Sequence, residues 1–405
     1  MLTEIVYGTI QRKNTIDYYL QKLVKKPLLK LDSWVLVLLR LSIYQIVYLD
    51  RVPERAVVHE AVEIAKKRGH IGISGMVNGT LRAFLREGIP EIKANNLTEE
   101  LALKYSHPNW LIERWIEQFG IATTEAICSV NNTPPKVTAR ANLTSVADVD
   151  QLMASLAEEE IIVERGDLAP EAIKVVKGNL VESKAYRSGQ VTIQDESSML
   201  VAKALAATKG MTVLDSCAAP GGKTTHIAET MNNEGKVVAL DLHPHKVKLI
   251  VEQAKRLQLT NIETKASDAR NACELFEKET FDRILVDAPC SGLGVIRRKP
   301  DIKWQKKAND MNNIAKIQYD LLTAVAPLLK VGGTLVYSTC TIDRVENEQI
   351  VTKFLEEHKH FKLDKRLSER LPAKVASKIK EEGMIQLLPS DFDTDGFFIA
   401  ALVKN

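Results

Sequence analysis

Cysteine is scarce in this 405-residue chain, and what there is follows no framework. The five thiols, Cys128, Cys217, Cys273, Cys290 and Cys340, are odd in number and lack metal-ligand spacing, which argues against a disulfide scaffold and a structural zinc site. A dominant charge is missing too. A formal net charge of +3 is far from a polycation, so contact with nucleic acid must come from local patches. No stretch approaches the roughly 18 apolar residues that span a bilayer. The most apolar segment, Trp34–Leu49, is interrupted by Arg40, Ser42 and Gln45 and reads as a buried helix. No charged leader with an apolar core opens the chain. The expectation is a cytoplasmic monomer without membrane or metal.

Two glycine patterns are also absent. MTVLDSCAAPGGKTT (Met211–Thr225) ends like a P-loop, but that motif needs a glycine five residues before the Gly of GK[ST], and Cys217 stands there. The G-x-G-x-x-G of dinucleotide sites is missing as well. What the stretch does contain is an apolar run, an acid, the pair Gly221 and Gly222, and a helix from Lys223. That is a strand, a glycine turn and a helix N-terminus, against which an adenosine-containing ligand can lie on bare backbone. With no phosphate cradle, the expected ligand is S-adenosylmethionine in a Rossmann-like methyltransferase turn.

Residues 1–125 read as all-helical, with apolar positions at helical spacing in Ile5–Leu23, Val35–Leu49, Ala56–Ala65 and Met76–Leu85. The basic clusters Lys22, Lys25, Lys26 and Lys66, Lys67, Arg68 fall at helix ends, where the dipole favours cations and RNA contact is an alternative. LSIYQIVYLDRVPERAVVHEAVEIAKKRG followed by GMVNGTLR resembles the NusB-type RNA-binding helical domain. Domains of that type begin with two further helices, so the entry at MLTEIVYGTI implies a reduced or truncated start. Around Ser106–Phe119, Trp110 and Trp115 are expected as packing anchors rather than base-stacking platforms.

Residues 126–205 form an expected small α/β module that positions RNA, with strands at Val137–Ala141, Ile161–Val163 and Ile173–Val176 and a helix at Ser145–Leu156. Its charge is acidic, eight Lys and Arg against eleven Asp and Glu. Gln194 and Asp195 precede a helix and read as caps.

From 206 to 405 strand and helix alternate as in an open parallel sheet. Strands are predicted at Met211–Asp215, Lys236–Leu242, Ile262–Ala266, Phe281–Asp287, Thr334–Ser338 and Phe397–Val403. Helices are predicted at Gly222–Met231, Pro244–Leu259, Asp310–Leu329 and Glu346–His358. Ligands in such sheets bind beyond the carboxyl ends of the strands. There Asp241, 19 residues after Gly222, can accept ribose hydroxyls, and Asp268 the adenine amino group. The next strand ends in VDAPCSGLG, with Asp287 and Cys290, and the one after it in STC, with Cys340. Between them, Arg297, Arg298, Lys299 and Lys303 surround Trp304, a pattern suited to phosphate contact with an aromatic stack.

Two thiols at neighbouring strand ends point to covalent chemistry. Carbon 5 of a pyrimidine becomes nucleophilic once a thiolate has added to carbon 6, and a carboxyl group near ring nitrogen 3 stabilises the adduct. DSCAAPGGKTTHIAE, ALDLHPHK, SDAR, VDAPCSGLGVIRRKPDIKW, GGTLVYSTCTIDRVENE and DGFFIA together resemble the Sun/Fmu-type bacterial RNA cytosine-5 methyltransferases, related to the NOL1/NOP2 group. The resemblance implies methylation of a cytosine in small-subunit (16S) ribosomal RNA. It implies Cys340 as nucleophile, Cys290 in product elimination and Asp287 at the target base. Cys217, Ala218, Ala219, Pro220, Gly221, Gly222, Lys223, Asp241, Asp268 and Asp287 would line the S-adenosylmethionine pocket, Cys217 and Lys223 mainly through backbone. The alternative is a non-catalytic RNA-binding assembly factor that keeps the fold.

Overall fold

A computed structural model of the chain describes residues 1–379 and 381–405. The residues divide into two compact units, Met1–Thr133 with Ile296–Ala308, and Pro134–Val295 with Asn309–Asn405.

The first unit is helical: α1 (Leu2–Gln11), α2 (Lys13–Leu23), α3 (Ser33–Tyr48), α4 (Glu54–Arg68), α5 (Ile71–Glu87), α6 (Leu97–Lys104), α7 (Asn109–Phe119) and α8 (Ile121–Asn131). The periodicity over Ile5–Leu23 belongs to two helices, because Arg12 leaves helical geometry at φ −100° and ψ 12°. α3 is the apolar segment that was too broken to span a bilayer. Val35, Leu39 and Ile43 are buried on it, and its Arg40 donates to both oxygens of Asp17 at 2.6 and 2.7 Å. Asn96 caps α6 through Glu99 N–H, and Gly120 at φ +79° ends α7. The expected boundary at residue 125 falls inside α8, and the helical unit runs on to Thr133. No helix among the described residues is long and apolar enough to cross a membrane.

The second unit holds two sheets. The smaller is antiparallel in the order β2-β3-β1-β4, from β1 (Val137–Ala141), β2 (Ile162–Arg165), β3 (Ala172–Lys177) and β4 (Val191–Ile193). Its helix runs over Val149–Glu158, capped by Asp148. Asp195 caps the helix Glu196–Leu205, as its position implied.

The larger sheet comprises β5 (Thr212–Asp215), β6 (Lys236–Asp241), β7 (Ile262–Ala266), β8 (Phe281–Asp287), β9 (Leu329–Thr339), β10 (Phe361–Leu363), β11 (Met384–Leu387) and β12 (Phe397–Lys404). Its order is β10-β12-β9-β8-β5-β6-β7, with β11 also on β12. The pairs within β5–β9 are parallel, and β12 pairs antiparallel with β9, β10 and β11. Val213, Leu214, Leu285, Val286, Leu335 and Val336 are fully buried, the near-continuous apolar run of strands covered on both faces. The chain runs outward from β5 through β6 and β7, then returns to β8 on the other side of β5. The strand order therefore reverses between β5 and β8, the place where an open α/β sheet leaves a crevice.

Trp115 is fully buried, with its ring edge-on to His107 at 5.7 Å, as expected of a packing anchor. Trp115→Ala is expected to cost about 3–5 kcal/mol in urea unfolding of the full chain. A loss under about 1 kcal/mol would contradict an anchoring role.

Candidate active site

The loop after β5 is built across the reversal point. Ser216 N and Oγ donate to Leu285 O on β8 at 3.0 and 2.9 Å, and Ala218 N donates to Leu240 O on β6 at 2.8 Å. Pro220 follows a cis peptide bond. Gly221 sits at φ +103°, and a Cβ there would lie 3.1 Å from the backbone of Ile250, so glycine is required on both counts. The helix Gly222–Thr230 then begins, with its N-terminal turn at the loop.

Beside this loop a cavity of about 350 Å³ is lined by Cys217, Ala219, Asp241, Asp268, Asp287, Cys290 and Cys340 among others. Seven residues singled out from sequence thus share one hollow. Asp241 accepts from Ala219 N at 3.3 Å and His243 N at 3.0 Å, which fixes its carboxylate between the loop and the end of β6. Asp268 caps the turn after β7 and pairs with Arg270 at 2.6 Å, which holds its carboxyl below the ordinary range. Lys223 does more than lend backbone. Its Nζ lies 2.7 Å from Asp287 Oδ2, while Ser338 donates to Asp287 Oδ1 at 2.9 Å. Burial pushes the Cys217 thiol up, so that sulfur stays protonated and inert.

The two remaining sulfurs meet: Cys290 Sγ and Cys340 Sγ are 3.3 Å apart. The pair is electrically lopsided. The hydrogen bond shared with Cys290 draws Cys340 below the ordinary thiol value, helped by the Lys223 ammonium and opposed by burial and by Asp287. The same bond raises Cys290, whose burial and neighbouring Glu346 and Asp287 push the same way.

Sequence reasoning missed what holds the sulfurs there. Glu346 is fully buried under both loops; it accepts from Ser291 N at 2.8 Å, from Ser291 Oγ at 2.5 Å and from Gln318 Nε2 at 3.1 Å. Ser291 and Thr341, each next to a cysteine, hydrogen-bond to one another at 2.9 Å. Gly294 N donates to Cys340 O at 3.0 Å, and Gly396 N to Gly294 O at 2.9 Å. The acidic residue in IDRVENE and the glycine of DGFF were the available signals.

The basic segment is a correction. Lys303 is fully buried and donates to Gln11 O at 2.9 Å, and Trp304 Nε1 donates to Ile10 O at 2.7 Å. Both acceptors are terminal carbonyls of α1, so these side chains satisfy a helix C-terminus instead of facing phosphate and base. Arg297 is buried too; Arg298 is half-buried and Lys299 exposed. The segment containing them belongs to the helical unit, not to the catalytic one.

A family model described as 16S rRNA methyltransferase RsmB/F matches residues 202–403, the NusB family model matches 1–86, and an RsmF/B-like ferredoxin-like domain matches 107–182. A curated relative from Bacillus subtilis, "Probable ribosomal RNA small subunit methyltransferase B", is 53% identical over 406 residues, covering 100% of this chain and 90% of its own. The crystal structure of PH0851 superposes with a TM-score of 0.84 at 30% identity, over 100% of this chain and 89% of that one. A methyltransferase homologue from Pyrococcus horikoshii gives 0.65 at 26%, over 77% and 100%.

Two outcomes test this geometry. A Cβ at Gly294 would lie 2.1 Å from Gly396 O and 2.8 Å from Cys340 O, so Gly294→Ala must push the loops apart. Cross-linking of Cys290 to Cys340 by dibromobimane is expected to slow by ~10-fold, and an unchanged rate would contradict the assigned clamp. Asp215, fully buried and accepting from Thr224 Oγ1 at 2.7 Å, is pushed up to about 7 by burial. Its folded value lies above the ordinary carboxyl value, so the stability it contributes is fully present below that value and is lost as pH rises to about 7. Asp215→Asn cannot ionise and should gain stability relative to the parent as pH rises from about 4 to about 7 in ligand-free urea titrations, with a constant difference above that. A difference that stays constant through the rise itself would contradict the assignment.

Proposed function

The chain belongs to the RsmB/F family of 16S rRNA methyltransferases, and from that premise we propose that it transfers a methyl group from S-adenosylmethionine to carbon 5 of a cytosine in small-subunit ribosomal RNA. The observation that carries this reading is the pair of sulfurs, 3.3 Å apart, at the rim of a carboxylate-lined hollow beside a glycine turn.

The residues present fit the cofactor. The hollow, at about 350 Å³, falls within the range of small-molecule sites. Asp241 and Asp268, at the ends of adjacent strands, would hold the adenosyl part, Asp268 sharing its carboxylate with Arg270. The loop Cys217 to Gly221 leads into the helix that starts at Gly222, whose N-terminal N–H groups at Gly222 and Lys223 suit the cofactor's carboxylate. When bound, S-adenosylmethionine supplies an electrophilic methyl group on a sulfonium.

The protein's part is to make carbon 5 a nucleophile. The Cys340 thiolate adds to carbon 6, and its electron pair shifts density onto carbon 5, which takes the methyl group. Asp287, held by Lys223 and Ser338, is placed to hydrogen-bond the ring and stabilise the adduct. Release then requires that carbon 5 lose its proton, that the double bond re-form and that Cys340 leave as thiolate. Cys290 lies beside the adduct sulfur: with Cys340 held in the thioether, the Cys290 thiol proton passes to solvent and the resulting thiolate takes the carbon-5 proton, which its raised affinity for protons favours.

The target base must be unpaired or flipped to reach the sulfur. For the surrounding RNA, Lys299 remains a candidate contact, and Arg298 a partial one. The helical unit adds a groove of about 1130 Å³ between α4 and α5, lined by Arg55, His59, Lys66, Arg82 and Arg86 and by Glu63, which pairs with Lys66 at 2.8 Å; the remaining arginines suit a phosphate backbone.

The test is transfer of labelled methyl groups to undermethylated 16S ribosomal RNA. Cys340→Ala should lower the rate by ~10³-fold or more. Cys290→Ala should instead accumulate a protein–RNA adduct that survives a denaturing gel. Equal loss in both variants with no adduct would overturn the assignment. RNA binding with no methyl transfer by the parent protein would favour the assembly-factor reading.

A further inference from the structure

Arg140, in the middle of β1, is a charged side chain that the chemistry above does not use. It is fully buried. Its Nε and Nη2 fork onto Glu229 at 2.8 and 2.7 Å, Nη2 also reaches Thr225 Oγ1 at 3.2 Å, and Nη1 reaches Gly222 O at 3.1 Å and Gln194 Oε1. Those bonds occupy every one of the five guanidinium N–H groups.

The partners are spaced to a purpose. Gly222, Thr225 and Glu229 stand at i, i+3 and i+7, one face of the helix Gly222–Thr230. Lys223 and Thr224, on the other side of the same first turn, reach Asp287 in the hollow and the buried Asp215 at the end of β5. A second tether runs parallel to the first: Glu171, just before β3, lies 3.4 Å from His226 on this helix and 2.9 Å from Lys203. The first turn of the helix is thus gripped from the small sheet on one side and from the hollow on the other.

Stability alone is a weak reason for such an arrangement, because a buried ion pair is matched or bettered by apolar packing of the same volume. Its distinctive property is direction. A planar fork with five donors admits one orientation of the helix relative to β1 and β4.

We infer that Arg140 is a positioning residue for the methyl-donor loop, and that through it the small antiparallel sheet and the donor pocket are energetically coupled. The inference rests on the S-adenosylmethionine reading of that pocket. Linkage makes the coupling reciprocal: whatever engages the small sheet tightens donor binding by the same factor by which the donor tightens that engagement. RNA seated on the small sheet would in this way favour a loaded donor site.

The test is amide hydrogen exchange on the full chain, with and without sinefungin, a stable analogue of the donor. Added protection is expected at 217–225 and also at 138–141 and 192–194 in the small sheet. Arg140→Lys, which keeps the charge but loses the fork, should retain protection at 217–225, lose it in the small sheet and weaken sinefungin binding by ~10-fold. Thr225→Val, which removes one acceptor but keeps the Glu229 fork, should weaken the coupling with only a modest fall in melting temperature and serves where Arg140→Lys does not fold. Binding by the parent protein that leaves β1 and β4 unprotected would overturn the inference. Failure of the parent protein to bind sinefungin would overturn the reading of the pocket instead.

Discussion

The contact between two sulfur atoms is the constraint around which the catalytic half is arranged. Cys290 and Cys340 lie on loops after different strands, β8 and β9, and loops are ordinarily the mobile part of a domain. These are held by groups that cannot reach water. Glu346 takes hydrogen bonds from residues beside both cysteines, and its burial raises its own proton affinity, which lessens the cost of an ionised carboxylate beneath a thiolate. Gly294 lets three backbone strands pass where no side chain fits. The result is a pair of thiols whose positions are set by buried polar bonds and whose proton affinities are set by one another.

The electrostatics of the hollow agree with a cationic ligand. Asp215, Asp241, Asp268 and Asp287 all stand at strand carboxyl ends on the same edge of the sheet, and only Asp268 and Asp287 have a cation at bonding distance. Repulsion from Asp287 adds to burial in raising Asp215. A phosphate ligand would meet this field unfavourably, whereas a sulfonium would be drawn into it. The same argument that dismissed a P-loop on glycine spacing is thus reached independently from charge. Lys223, which in a P-loop would serve phosphate, is here spent on Asp287.

Much of this was legible in the chain. The strands β5 to β9 and the acids at their ends could be read because each motif is local: an apolar run, then a polar residue that the pleat places at the edge. What is local in space but distant in sequence was not legible. β10 and β11 are three and four residues long and exist only because β12 offers them a partner. The break at Arg12 carries no proline or glycine to announce it. Arg140 sits in an unremarkable TARA, and its partners lie 54 to 89 residues onward.

The basic run 297–307 shows why charge counting failed where strand counting succeeded. A lysine in sequence is a cation by default, but Lys303 is fully buried and meets the Gln11 carbonyl rather than water. The last carbonyls of α1 lack intrahelical donors, and a buried helix end must find them elsewhere. Lys303 and Trp304 are those donors, nearly 300 residues away in sequence. Burial pushes the Lys303 ammonium well below its usual range, so the side chain donates without bringing a full charge into the core. The run thus loses its most central cation to the fold. Arg55 and Lys66 of α4 and Arg82 and Arg86 of α5, of which only Lys66 sits in a basic run, converge on one groove instead. For a polyanion the relevant density is that of charges sharing a surface, and in a helical unit it is set by the period of 3.6 rather than by adjacency in the chain.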